Sequence, residues 1–168
     1  MGLDMYLLLD KGKKGSQEIE SIWQSEEFWK NKWANRDKFD GLTLAYWRKA
    51  FGILNWFDHN LESVTSQELP DDADREGVQG CQYYRVKKKE LDELLFECEE
   101  VLSTKSLEYE EQYTPDDLMP TGVGFFIGAY RDINDWWWSD IEDTVEQLRN
   151  VGNYIDWDKD DAYFVISY

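Results

Sequence analysis

Hydrophobic residues alternate with other residues at the start of the chain. Leu3, Met5, Leu7 and Leu9 recur with a period of two, which is the spacing of side chains on one face of a β-strand. The segment 3–9 is therefore predicted to be a strand that is buried on at least one face.

Four longer segments carry apolar residues at intervals of three and four, as one face of an α-helix does. The first begins at Ser16, whose side chain suits a helix N-cap, and continues through an aromatic seam to Trp33. The others span about 43–64, 87–102 and 134–151. The second is apolar enough to be predicted in the core, and the third is expected to expose Glu90 on a solvated face with its neighbouring glutamates.

Two stretches without a hydrophobic period, 66–80 and 106–120, contain turn-forming residues and are predicted to be surface loops. Further strands are predicted at 82–86, 123–130 and 162–168, where Gly124 and Gly128 allow close approach of another segment. Strands at the start, middle and end of the chain, with helices between them, predict an α+β fold. We expect a single compact domain over residues 1–168, with an antiparallel or mixed sheet that carries about four helices mainly on one face.

Negative charge is concentrated in the second part of the chain. The sequence has 36 acidic and 18 basic residues, of which residues 1–68 hold 11 and 9 and residues 69–168 hold 25 and 9. The electrostatic field of this excess negative charge repels nucleic-acid phosphates and anionic membranes and attracts basic protein grooves. Because 42% of the residues are hydrophobic and 16% are aromatic, the acidic part is expected to be a folded surface rather than a disordered tail.

The two cysteines, Cys81 and Cys98, are predicted to be buried free thiols in a reducing compartment. The N-terminal segment lacks the basic flank and long apolar run of a signal peptide, and no run approaches the ~20 apolar residues of a membrane span. We therefore expect a cytoplasmic protein.

Several short motifs resemble those of a family of small uncharacterised proteins common in bacteriophages and prophages. They are GLDMYL at 2–7, YWRKA at 46–50, and the pattern PT..GFF.G at 120–128. The likeness covers most of the chain apart from about 12–42, and it implies a phage or prophage origin, a bacterial host cell and a common fold. The family has no established activity. Where its pattern has Asn and His on the second helix, this sequence has Phe51 and Leu54, so a reactive site built on those polar residues would be absent here.

The sequence offers little catalytic or metal-binding chemistry. Asp156, Asp158, Asp160 and Asp161 imitate a calcium loop, but the sixth position lacks the expected glycine, so a solvated acidic turn is the favoured interpretation. The sole histidine, His59, is interpreted as an exposed or capping residue. No glycine-rich phosphate loop, nucleophile elbow or paired zinc spacing occurs. We expect no catalytic residue, no metal and no cofactor.

Asp4 and Arg48 each stand within an otherwise apolar predicted element. Because a buried charge is tolerated only when it is paired, we expect them to form a largely buried salt bridge that fixes the second helix against the sheet. The alternative is that Asp4, Arg48 and Tyr6 bind a ligand or act catalytically in a pocket roofed by Trp47.

The run Trp136-Trp137-Trp138 cannot face inward as a whole, since successive helical residues are about 100° apart. An exposed tryptophan among acidic residues suits an interface anchor, with partial burial at a sheet edge as the alternative. The candidate partner-binding residues are Trp136 and three acidic patches, namely Asp71, Asp72, Asp74 and Glu76; Glu108, Glu110, Glu111, Asp116 and Asp117; and Asp156, Asp158, Asp160 and Asp161.

These observations favour a non-enzymatic binding protein. Its acidic surface would enter the basic groove of a host nucleic-acid-handling or defence protein in place of DNA phosphates, as an inhibitor of the anti-CRISPR or anti-restriction type. Two alternatives stay open, a small enzyme or ligand-binding module built on Asp4, Arg48 and Tyr6, and a structural or assembly protein of the virion.

Overall fold

The structure, a computed structural model, describes residues 3–35, 38–65, 78, 80–119, 123–124, 128–129 and 133–167. The elements in chain order are β1 Asp4–Asp10, α1 Ser16–Trp23, α2 Glu26–Ala34, β2 Thr43–Arg48, α3 Phe51–Asn60, α4 Glu62–Thr65, β3 Tyr83–Val86, α5 Lys88–Ser103, β4 Val123–Gly124, β5 Gly128–Ala129, α6 Asp135–Val151 and β6 Asp161–Ser167. Two single turns of 3₁₀-helix, Tyr109–Glu111 and Asp116–Leu118, lie between α5 and β4.

The main sheet is antiparallel, with the strand order β2-β1-β6-β3. The first and last strands of the described chain therefore pair at its centre, where Leu7 lies opposite Phe164. The α+β class and the antiparallel sheet are confirmed.

The sheet is covered on both faces. Met5 and Leu7 of β1 join the larger hydrophobic core beneath α3, α5 and α6, where the rings of Phe57 and Phe164 stack at 4.0 Å. Tyr6 belongs to a second cluster beneath α1 and α2. Both faces of β1 are thus buried. Most of the helices lie on the face that carries Met5 and Leu7.

The first predicted helix is two helices, because the chain breaks at Gln24 and restarts at Ser25, whose Oγ accepts a hydrogen bond from the backbone N–H of Phe28 at 3.2 Å. The predicted cap at Ser16 is wrong. Gly15 is the N-cap, and its backbone N–H donates to a carboxylate oxygen of the buried Asp10 at 2.8 Å.

The largest difference from the sequence prediction lies at residues 43–50, which form a strand and a connection rather than the start of a helix. Trp47 is buried while its neighbours Tyr46 and Arg48 are exposed, which is the alternation of an edge strand. Pairing with β1 decides the outcome, since the apolar spacing suits either structure. Lys49 then takes a positive φ of 58° before α3 begins at Phe51.

The predicted helices at 87–102 and 134–151 are confirmed as α5 and α6, and the predicted strands at 82–86 and 162–168 as β3 and β6. The segment 123–130 is not one strand. Its described residues form two short strands in which Gly124 pairs with Gly128. The predicted loop at 66–80 lies outside the described residues except for 78 and 80.

The burial of Glu90 and of Cys81 differs from the prediction. Glu90 is buried rather than solvated, because its carboxylate accepts hydrogen bonds from the backbone N–H groups of Lys87 at 2.6 Å and Glu62 at 2.8 Å. These bonds complete the first turn of α5 and attach it to α4. Cys98 is buried as expected, but Cys81 is exposed in the turn before β3, and both thiols are free.

Candidate functional site

Asp4 and Arg48 lie opposite each other in the pairing of β1 with β2. Nε of Arg48 is 3.9 Å from Oδ1 of Asp4, and the hydroxyl of Tyr46 donates to the same oxygen at 2.6 Å. The side chain of Arg48 is 63% exposed, so the expectation of a largely buried bridge is wrong. The pair joins two strands, because residue 48 lies in β2 and not on a helix.

Trp47 does not roof a pocket beside this pair, because it lies on the opposite face of the sheet from Tyr6. The ring of Tyr6 packs against Trp23 and Tyr46 on one face of the sheet. The indole of Trp47 lies on the other face, where Nε1 donates to Oγ1 of Thr144 at 2.9 Å. Burial, followed by the charge of Asp4, raises the pKa of Tyr6, and burial with the hydrogen bond to Asp4 raises that of Tyr46 to about 12. Neither hydroxyl is suited to lose a proton near neutral pH.

The acidic residues before β6 close a turn. The buried carboxylate of Asp160 accepts hydrogen bonds from the backbone N–H groups of Gly12 and Asp156, each at 3.0 Å. These bonds hold the pKa of Asp160 below its usual range. The carboxylate of Asp156 accepts from the backbone N–H of Asp158 at 3.2 Å and pairs with Lys159 at 2.9 Å.

Asp161, the fourth residue of this patch, bonds Arg85 of β3 at 2.8 Å. The carboxylates of Asp156, Asp160 and Asp161 thus have separate partners. Within the described residues, no group of three or more His, Cys, Asp or Glu side chains is placed to hold a metal ion. The contacts of Asp156, Asp160 and Asp161 fix the turn that leads into β6.

Carboxylates are crowded on α6. Burial and the charge of Asp143 raise the pKa of Asp140 to about 7. Burial and the charges of Glu146 and Glu142 raise the pKa of Asp143 as well. Each of these shifts disfavours the ionised form. Asp140, Asp143 and Glu146 recur every three residues and so neighbour one another along the helix surface.

A second crowded pair joins α5 to the turn at 116–118. Oε2 of Glu97 accepts from Nε1 of Trp56 at 3.0 Å, and Oδ2 of Asp117 accepts from Nδ2 of Asn60 at 2.9 Å. Burial, followed by the charge of Asp117, raises the pKa of Glu97. Sequence reasoning placed Glu97 on a solvated face with its neighbouring glutamates and missed this pair, because its contacts involve α3, α5 and the turn at 116–118.

The remaining candidates are widely placed. Trp136 is 70% exposed at the start of α6, whereas Trp137 and Trp138 are buried. His59 is exposed, and its Nδ1 lies 2.7 Å from the carbonyl oxygen of Asn55. In the second acidic patch Asp116 and the three glutamates are exposed and Asp117 is half-buried. The first patch, which consists of Asp71, Asp72, Asp74 and Glu76, lies outside the described residues.

No protein-family model, curated protein or solved structure matches this chain. In the part of the chain that the structure describes, no helix has the length and apolar character needed to cross a membrane. The likeness to phage proteins stays a prediction. The function has to be argued from the acidic surface of the helical layer and the turns that follow α5.

Proposed function

We propose that this chain is a non-enzymatic binding protein whose acidic surface occupies a basic groove of a host protein that handles nucleic acid. The observation that carries the proposal is the crowding of carboxylates on α6, where Asp140, Asp143 and Glu146 follow one another at intervals of three residues and the last two are exposed. A restriction or CRISPR nuclease is the kind of partner that exposes such a groove.

Crowded carboxylates favour a role in binding over a purely solubilising one. Surface charges that only maintain solubility can spread apart, whereas the half-buried Asp140 is held one turn before the exposed Asp143 on the same helix. Lysine and arginine side chains of a partner would relieve this repulsion on contact, and so part of the cost in the free protein becomes affinity in the complex.

The placement of the charge on α5 and α6 supports mimicry of nucleic acid. These helices pack against each other and against the sheet, so the backbone positions that carry their carboxylates are fixed. A groove that recognises phosphates through lysine and arginine attracts such a surface by the same long-range field. By the same argument the surface repels DNA and RNA, and the partner is a protein.

The proposal is tested by DNA cleavage with purified restriction and CRISPR nucleases, at about 50 mM and about 200 mM salt. The double variant D143N/E146Q removes two charges from α6, and E26Q/E27Q removes two exposed charges from α2 as the matched control. We expect the parent protein to inhibit cleavage, and to inhibit it less at the higher salt concentration. D143N/E146Q should inhibit less than the parent, whereas E26Q/E27Q should inhibit as the parent does. Plating of phage on restricting and non-restricting hosts that express the protein checks the same effect in cells.

Inhibition that is indifferent to salt and to both variants would indicate apolar docking and contradict charge mimicry. If the protein changes neither DNA cleavage nor phage plating for any nuclease tested, a nuclease is not its partner. A chain that itself turns over a nucleotide or nucleic-acid substrate would contradict the non-enzymatic part of the proposal.

A further inference from the structure

An exposed segment follows α5 and alternates apolar and acidic side chains. Its sequence, LEYEEQY at 107–113, places three glutamates among Leu107, Tyr109 and Tyr113. The ring of Tyr109 is 74% exposed, and Leu107 and Tyr113 are also among the exposed large hydrophobic residues. Among the described residues, neither hydrophobic cluster of the fold includes any of the three. Their side chains therefore have no role in the core.

The segment is held in a fixed shape although its side chains are exposed. The backbone N–H of Tyr113 donates to Oγ1 of Thr104 at 2.9 Å. The side chain of Gln112 is also held, because its Nε2 donates to the carbonyl oxygens of Lys105 at 3.3 Å and Leu107 at 3.2 Å. The backbone N–H of Leu107 also donates to the carbonyl oxygen of Thr104 at 2.9 Å.

The middle of the segment is a turn of 3₁₀-helix, in which the N–H of Glu111 donates to the carbonyl oxygen of Glu108 at 2.8 Å. Its backbone is thus ordered before any partner arrives. An ordered segment loses less conformational freedom on binding than a flexible loop, so more of its contact energy appears as affinity.

We infer that residues 107–113 are the docking element of this protein and that they fit an apolar cleft rimmed by lysine and arginine on a partner protein. The inference rests on the proposed function and names the part of the acidic surface that makes the central contacts. Tyr109 and Tyr113 supply rings of the type that dominates interface hot spots. Glu108, Glu110 and Glu111 supply charge for the cationic rim.

Charge complementarity selects this partner. A membrane surface and a nucleic acid both carry negative charge and repel a segment with three glutamates in four residues. Lysine and arginine are attracted to the carboxylates and also pack over tyrosine rings through cation–π contacts. A cleft that combines cationic and apolar groups satisfies both kinds of side chain in the segment.

The test measures fluorescence anisotropy with two labelled peptides, one of alternating arginine and leucine and one of alternating arginine and serine. The parent protein is expected to bind the arginine–leucine peptide at least about tenfold more tightly. The variant Y109A/Y113A should lose this preference, and E108Q/E110Q/E111Q should lose most of the salt dependence. F96A, which removes another exposed ring from α5, is the matched control and should bind as the parent does.

All three variants change exposed side chains, and unchanged thermal unfolding establishes that each is folded. Peptide binding that is equal for parent and Y109A/Y113A overturns the inference, as does self-association of the protein through this segment in sedimentation experiments. The two proposals fail separately. Nuclease inhibition that survives Y109A/Y113A rejects the docking element alone, and segment-dependent peptide binding without any nuclease inhibition rejects the nuclease partner alone.

Discussion

Gly52 of α3 lies directly against the backbone of Leu118. A Cβ atom at position 52 would overlap the carbonyl oxygen of Leu118 and come within 2.9 Å of Nε1 of Trp137. That indole nitrogen donates to the same carbonyl oxygen at 2.8 Å. From the next turn of α3, Asn55 donates to the carbonyl oxygen of Asp117 at 3.0 Å. The absence of a side chain at Gly52 therefore lets the acidic turn at 116–118 attach to the core.

Gly52→Ala is expected to destabilise the protein by about 1–3 kcal/mol, because the added methyl group forces the turn away from α3. This loss outweighs the gain of about 1 kcal/mol that alanine brings to a helix interior. The measurement is urea unfolding of the parent and the variant. Gly152→Ala is the control, since nothing lies within 4 Å of its Cβ position and its backbone is helical. Equal stability of Gly52→Ala and the parent would contradict the contact.

The exposed link between β1 and β2 leads to a second prediction. Tyr46→Phe removes the 2.6 Å hydrogen bond to Asp4 and should lower the free energy of unfolding by about 1 kcal/mol. Arg48→Ala should change it by no more than about 0.5 kcal/mol, because the guanidinium is largely solvated. Chemical denaturation distinguishes the two variants. A loss of about 3 kcal/mol or more in Arg48→Ala would indicate a buried bridge instead.

The sequence predicts the fold well where a single period describes an element. Ile141, Val145 and Leu148 recur on one face of α6 and are buried there. The prediction fails at β2, because the apolar residues around Trp47 fit both a helix and a strand. Hydrogen bonds to β1 decide between the two, and this information lies outside the segment itself.

The candidate site is predictable only in part for the same reason. The acidic loop after α5 is evident from its composition, whereas its fixed shape depends on side-chain bonds from Thr104 and Gln112. Glu97 and Asp117 meet because α3 brings Trp56 and Asn60 between their elements. Such tertiary pairings leave no period in the sequence.

The two thiols should differ strongly in reactivity. Cys81 is exposed, whereas Cys98 is buried in the core, and burial followed by the charge of Glu97 raises the pKa of its thiol. A thiol reagent such as Ellman's should therefore label Cys81 rapidly in the native protein and Cys98 only after unfolding. The label is counted by absorbance or mass, with Cys81→Ser as the control that abolishes the fast phase. Rapid labelling of both thiols would show that the core around Cys98 is open.

The pH dependence of stability should reflect Asp140. Its pKa in the folded protein is raised to about 7 by burial and by the charge of Asp143, above the value of about 3.9 for an unfolded chain. The folded state therefore binds this proton more tightly, and the stabilising contribution is complete below about pH 4 and is lost as the pH rises through about 7.

Asp140→Asn fixes an uncharged side chain at this position, so it should unfold at nearly the same denaturant concentration as the parent at about pH 4. At about pH 8 the variant should be more stable by about 1 kcal/mol, a figure discounted for the solvent that screens a partly exposed group. Urea unfolding across this range measures the difference, and Glu100→Gln, an exposed residue of α5, serves as the control. If the parent and Asp140→Asn keep a constant difference from acid to alkaline pH, the carboxylate of Asp140 is not held in the crowded environment described for α6.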